Sequence, residues 1–336
     1  MPDRRPRTVV VAVLAAVLLT LQGCSGPDGD DLTLVGFALP KNADEAAQAA
    51  FARTSEGAGT EWIQSYGASG DQSRAVARGL RADVVHFSVT PDLTRLVDAG
   101  LVGDDWDDDR HGGIMTESVV VLVVRAGNPL GIEGWDDLAR PGLEVVTPNP
   151  GSSGAARWNV LGAWLHVAGD GGSDAEATRF LARVLANVEA LPGSGREATA
   201  AFQSGTGDVL ISSENEAILA RQSGEDLEYL VPDDTLLIQN PGAVTRRADP
   251  RAADFLDFVR SAAGQTVYAA AGFRPLRTVV GVEVGTVDGA TDPRNPYPVP
   301  RRLATVDDDL GGWDAVNAKF FAADGLVTRL LTESAR

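Results

Sequence analysis

Ser118-Val-Val-Val-Leu-Val-Val124 is the most strongly apolar run of the chain and decides how the rest is read. Its β-branched residues follow one another without alternating, so it predicts a central strand buried on both faces. Toward the N-terminus, strand candidates Leu32–Phe37, Glu61–Tyr66 and Asp83–Phe87 alternate with helix candidates Asp44–Arg53, Gly70–Leu80 and Asp92–Ala99. Toward the C-terminus come Leu143–Thr147 and the helices Ala155–Val167 and Asp174–Asn187. Val188–Leu191 then leads to Arg196–Phe202, and Asp208–Ser212 to Asn215–Gln222. Two more helices, Arg251–Ala262 and Gly264–Ala271, precede a Pro-rich, loop-like stretch at Pro296–Arg301. Strand followed by helix, repeated, predicts an α/β fold with parallel sheets. Ligands in such sheets bind off the carboxyl ends of the strands.

Three of those carboxyl ends break into Ser-Gly turns: Ser69-Gly70, Ser153-Gly154 and Ser194-Gly195. A Gly-rich turn feeding a helix N-terminus leaves backbone N–H groups outward with the positive end of the helix dipole behind them, a cradle for an oxyanion. Ser-Gly also occurs at Ser25, Ser204 and Ser223, where no such geometry is expected. The richest turn is Thr147-Pro-Asn-Pro-Gly-Ser-Ser-Gly-Ala-Ala-Arg-Trp-Asn159. Pro148 and Pro150 stop the helix starting early, Ser152 or Ser153 can cap it, and Gly154 and Ala155 then aim their N–H groups outward. In the first turn Ser69 has a hydroxyl and an N–H to offer, and Asp71 must point away from any anion. In the third, Arg196 can face a ligand or brace the loop carbonyls from behind.

The N-terminus predicts export. Arg4, Arg5 and Arg7 precede the apolar run Val9–Leu21, which has the length of a signal-peptide core and not of a membrane span. It ends in Leu21-Gln-Gly-Cys24, similar to a bacterial lipobox, so Cys24 is the expected lipidation site after removal of residues 1–23. Two acyl chains there would anchor the protein stably to the outer face of the cell membrane. Cys24 is the only cysteine, which excludes an intramolecular disulfide. Residues 24–31 form a polar tether, and the roughly 305 residues beyond it suit two α/β domains. Processing would remove three Arg and one Asp from a chain of charge −18, leaving −20 and arguing against nucleic-acid binding.

Enzyme chemistry finds little footing. His86, His111 and His166 lack metal-site spacing, and neither a Gly-x-Ser-x-Gly elbow nor a phosphate loop is present. Asp104–Asp109 lacks the glycine and terminal Glu of a calcium loop and reads as a solvated acidic turn. Glu214-Asn-Glu216 sits at a strand-to-helix junction, where such residues cap and hinge. No cofactor and no metal are expected.

Taken together, the motifs resemble one family. Gln64-Ser-Tyr-Gly-Ala-Ser-Gly, Ala82-Asp-Val-Val, Gly127-Asn-Pro, Trp135-Asp-Asp-Leu, Val146-Thr-Pro-Asn-Pro and Ser153-Gly-Ala-Ala-Arg-Trp-Asn159 occur in order. Gly207-Asp-Val-Leu, Glu214-Asn-Glu-Ala217, Phe273-Arg-Pro275 and Gly311-Gly-Trp313 follow. From about Leu32 to Leu330 the chain resembles the sulfate-binding proteins of bacterial sulfate/thiosulfate ABC importers. The resemblance implies a two-lobed, type II periplasmic-binding-protein fold, lobe 1 being 32–117 with 243–336 and lobe 2 being 118–242. Each lobe would be a mainly parallel sheet flanked by helices, with a dianion held between lobes mainly by neutral donors. It implies backbone donors at Ser69 (with Gly70 beside it), Gly154, Ala155 and Gly195, a hydroxyl at Ser153, and Arg196 bracing from behind. Two positions depart: Ala38 stands where the family has an aspartate that uses its N–H, and Ser213 where it has an indole donor. The implied protein is a monomer that passes sulfate to a permease and ATPase. A receptor for thiosulfate or a molybdate-like oxyanion is the alternative. Readings of another class are a surface esterase acting on sulfate or phosphate esters, and a structural lipoprotein with a degenerate pocket.

Overall fold

The computed structural model describes residues 31–334. The signal segment, Cys24 and nearly all of the tether lie outside the described residues. Strands β1 (Asp31–Phe37), β2 (Glu61–Gly67) and β3 (Val84–His86) run parallel, with β1 in the middle. Helices α1 (Lys41–Phe51), α2 (Ser69–Ala77) and α3 (Thr90–Asp98) follow them in turn. Strand β4 (Ile114–Arg125) contains the opening apolar run and is buried along its interior.

Strands β5 (Val145–Val146), β6 (Val188–Ala190) and β7 (Val209–Ser213) form a second parallel group, β5 lying between the other two. Their connections carry α4 (Gly154–Ala168), α5 (Asp174–Ala186) and α6 (Gly195–Gln203), and α7 (Glu214–Gln222) leaves β7. Strands β8 (Leu227–Leu230) and β9 (Asp234–Val244) follow, then α8 (Arg251–Val259), α9 (Ala262–Ala270) and β10 (Arg302–Ala304). This is a mixed α/β fold of the two-lobed type.

The parallel expectation fails for β4. All three of its neighbours, β7, β8 and β9, run antiparallel to it. Its N-terminal half pairs with β9, its C-terminal half with β7 and β8, and the far end of β9 pairs antiparallel with β3. The β4–β9 ribbon therefore joins the two parallel groups. Strand β9 was not expected, because Gln239-Asn-Pro-Gly242 reads locally as a turn. Pro241 is tolerated near the strand end, where its carbonyl accepts from Phe87 N at 2.9 Å.

Separate cores hold each part. Leu32, Leu34, Phe51, Phe255 and Tyr268 pack on one face of β1–β3, while Val35, Phe87, Leu93 and Leu96 pack on the other. Across the ribbon, Trp135, Trp158, Trp164, Phe180 and Leu181 form the largest cluster against β4 and β7.

Candidate functional site

The first turn is built around a committed serine. Ala68 is extended ahead of α2, and the Ser69 hydroxyl donates to Asp92 Oδ2 at 2.7 Å while accepting from Ser88 N at 2.9 Å. Only the Ser69 N–H, first in the helix and without an intrahelical acceptor, is left for a ligand. This corrects the expectation of two donors there. Asp71 pairs with Arg74 and is 63% exposed, so it does point away.

The second turn is braced by Asn149. Its side-chain oxygen accepts from Gly151 N at 2.8 Å, and its carbonyl accepts from Ser153 N at 2.8 Å. Ser153 takes the N-cap position of α4 with extended backbone, yet its hydroxyl makes no capping bond. Ser152 instead reaches the third turn, donating to the Gly193 carbonyl at 2.7 Å. In that third turn Ser194 caps α6 by accepting from Glu197 N at 3.2 Å.

The three turns meet. Gly70 N donates to the Ser152 carbonyl at 3.1 Å, joining the first turn to the second. That bond takes the Gly70 N–H away from any ligand in this conformation and makes Gly70 part of a joint. A Cβ on Gly154 would lie 2.7 Å from the Ser88 Cβ, and one on Gly195 would lie 3.3 Å from the Ala155 Cβ. Only glycine lets the α4 terminus come so close to Ser88.

Beside this joint is a small, partly enclosed cavity of about 10 Å³. Ala155, Gly195 and Ser213 are in its wall, together with Ser88, Asn159 and Asn240. No Asp, Glu, Lys, Arg or His is among its lining residues. The Ser213 hydroxyl is buried and has no partner, although Ser213 occupies the N-cap position of α7. Ser69, Gly70, Ser153 and Gly154 are not in the wall itself; they form the adjoining joint.

Ala38 lies elsewhere. Its neighbours Phe37 and Leu39 line the cavity, but Ala38 borders a second, more open recess with Lys41, Gln64, Tyr66 and Arg196. Strand β1 ends at Phe37 and the chain bends at Ala38 before α1. Arg196 donates to the Leu39 carbonyl at 3.1 Å and lies 3.1 Å from Glu216 Oε2, so it braces and does not line. Burial pushes the Glu216 carboxyl up, against the pull of Arg196. Glu214 is likewise pushed up by burial, and Arg274 grips it through two bonds at 2.6 and 3.0 Å.

Ser88 and Asn240 escaped the sequence reading. The Ser88 carbonyl accepts from Trp158 Nε1 at 2.8 Å and from Asn240 Nδ2 at 2.9 Å. Ser88 could have been found, since it follows β3 at the same carboxyl edge as the other turns. Asn240 carried no such signal.

Residues 32–274 match the family model described as bacterial extracellular solute-binding protein. The chain belongs to that family. Among relatives of this solute-binding protein is a sulfate-binding protein of Synechococcus elongatus, 38% identical, the match covering 95% of this chain and 92% of the relative. A thiosulfate-binding protein of Escherichia coli K12 is 31% identical, with 80% of each chain covered. Among solved structures, the sulfate-binding protein SubI from Mycobacterium tuberculosis H37Rv is similar at TM-score 0.81 and 44% identity. That match covers 87% of this chain and all of the other.

Proposed function

We propose that this solute-binding protein is an extracytoplasmic receptor, lipid-anchored at Cys24, that binds sulfate between its lobes for an ABC importer. The lobes are 32–117 with 243–336, and 118–242, joined by the β4–β9 ribbon. The observation that carries the reading is the meeting of three strand-end turns, joined by Gly70 N to the Ser152 carbonyl and by the Ser152 hydroxyl to the Gly193 carbonyl, beside a cavity whose lining includes no titratable side chain. Its sulfate-binding relatives support the same ligand. Binding involves no bond making, so the receptor is no enzyme; closure around the anion would be the signal read by the permease and ATPase.

Physical magnitudes allow a chain of charge −18 to bind a dianion this way. Surface carboxylates are screened beyond about 8 Å in physiological salt. Each helix terminus is worth about 0.3–2 kcal/mol and each charge-assisted hydrogen bond about 1.5–3 kcal/mol. A few such donors reach the roughly 8 kcal/mol that micromolar binding needs. Selectivity follows from what the wall lacks. No carboxylate is among the lining residues to receive a phosphate proton, and the Ser88 carbonyl already accepts from two donors.

Ser213 favours a second reading. Its hydroxyl is shorter than the family indole and leaves room for thiosulfate or a molybdate-like oxyanion. Calorimetry with sulfate, thiosulfate, molybdate and phosphate ranks these ligands. Sulfate is expected to bind and phosphate not; equal binding of both would refute the donor-only account.

A further inference from the structure

Behind the wall residues Phe37 and Asn240 runs a buried polar chain that reaches the cavity only at Asn240 and Ser88. His86 is fully buried, its ring set edge-on to Phe37 at 5.2 Å. Its Nδ1 lies 3.1 and 3.3 Å from the two oxygens of buried Asp44. Those oxygens also accept from Tyr268 Oη at 2.6 Å and Tyr66 Oη at 3.2 Å. Burial first, and Asp44 second, push both phenols well above their ordinary range, so both stay donors. On the other side His86 Nε2 lies 3.1 Å from Thr116 Oγ1, which is 3.1 Å from Asn240 Oδ1. Asn240 Nδ2 closes the chain on the Ser88 carbonyl at 2.9 Å.

The directions at Asn240 and Thr116 are read from the Ser88 end. A carbonyl only accepts, so the amide nitrogen of Asn240 faces Ser88 and its oxygen faces Thr116. Thr116 has one hydroxyl proton, and Asn240 takes it. The Thr116 oxygen is then left to accept from His86, which requires a proton on Nε2. At Nδ1 the partner is a carboxylate already holding two tyrosine hydroxyls, so a second proton lies on that contact. A single neutral tautomer satisfies one side and fails the other.

We propose that His86 is a positioning residue for the anion cavity: an imidazolium paired with Asp44, whose Nε2–H orients Thr116 and Asn240 and thereby holds the Ser88 segment of the wall. Loss of the Nε2 proton turns the Thr116 hydroxyl back toward the ring and leaves the buried Asn240 oxygen without a donor. The groups facing the imidazole are Asp44 on α1, Tyr66 on β2, Thr116 on β4 and Tyr268 on α9, with Phe37 of β1 against its ring. Asp44 is the one charged group among them.

The inference rests on the sulfate reading only for its ligand probe. In the intact chain, nitrogen-15 NMR of the three histidines, assigned with His111→Asn and His166→Asn, is expected to show both His86 ring nitrogens protonated at pH 7. Thr116→Val keeps the shape and cuts the relay; it is expected to weaken sulfate binding about three- to tenfold. A bare ring nitrogen on His86 at pH 7 overturns the proposal, as does wild-type sulfate affinity in Thr116→Val across the pH range. If the native chain binds no sulfate, the ligand reading fails, while the NMR result, which needs no ligand, still decides the state of His86.

Discussion

The cavity wall and the layer behind it are built on opposite electrostatic plans. The wall sets Ser88, Ser213, Asn159 and Asn240 among apolar residues such as Phe37, Trp158 and Ile238, and none of its lining residues is charged. One step back stand Arg196 with Glu216, Arg274 with Glu214, and His86 with Asp44, each carboxylate at most 1% exposed. Desolvating a lone charge in the wall would cost more than it returned, whereas a backing carboxylate matched by an arginine leaves the site nearly neutral. An uncharged wall in front is thus backed by carboxylate–arginine pairs behind. Substitutions in front should change affinity with little effect on stability, and breaking a buried carboxylate–arginine pair behind should chiefly change stability.

The largest expected effect is behind. Arg274→Met strands Glu214, a carboxylate buried to 0% exposure, and should cost about 3–5 kcal/mol in denaturant unfolding. A stability within 1 kcal/mol of wild type would erase the distinction between the two layers. Next comes the front: Ser213→Ala removes one unpartnered hydroxyl. It should weaken sulfate by roughly tenfold, as one charge-assisted hydrogen bond implies, with an unchanged melting temperature. Unchanged affinity would mean that Ser213 does not meet the anion.

The smallest effect concerns a pair far from the wall. Burial alone would lower His166, but hydrogen bonds to Asp234 and Asp136 outweigh it and hold the imidazole above its ordinary value of 6.5. Its stabilisation is therefore fully present below about pH 6.5 and fades as pH rises through the raised value. The melting difference between wild type and His166→Asn should be largest near pH 6, under about 3 °C, and vanish at higher pH. Sulfate affinity should not follow it; if it does, charge far from the wall is coupled to the site.

Particular residues show how much of this was legible. The turns at Ser69, Ser153 and Ser194 were readable because glycine and serine at a strand-to-helix junction mean the same thing in any context, and the structure brings them together. Gly154 was readable as the start of a helix, but its need to be glycine comes from Ser88, which is 66 residues away in the chain. Ala38 borders the neighbouring recess while Phe37 and Leu39 line the cavity, a difference that only the turn after β1 decides. The Ser69 hydroxyl was overcounted, since Asp92 lies a whole helix and strand downstream.

Local pattern by itself determined the α/β alternation, the buried central strand and the supply of anion-ready helix starts, because periodicity, glycine freedom and capping act over a few residues. Tertiary structure alone decided that β4 and β9 run antiparallel as a joining ribbon, that Asn240 belongs to the wall, and that Gly70 serves a joint. It also decided that Asp44, His86 and Thr116 form one chain. Those outcomes depend on which distant groups share a buried hydrogen bond, and a buried polar atom takes whatever partner the fold brings within 3 Å or so.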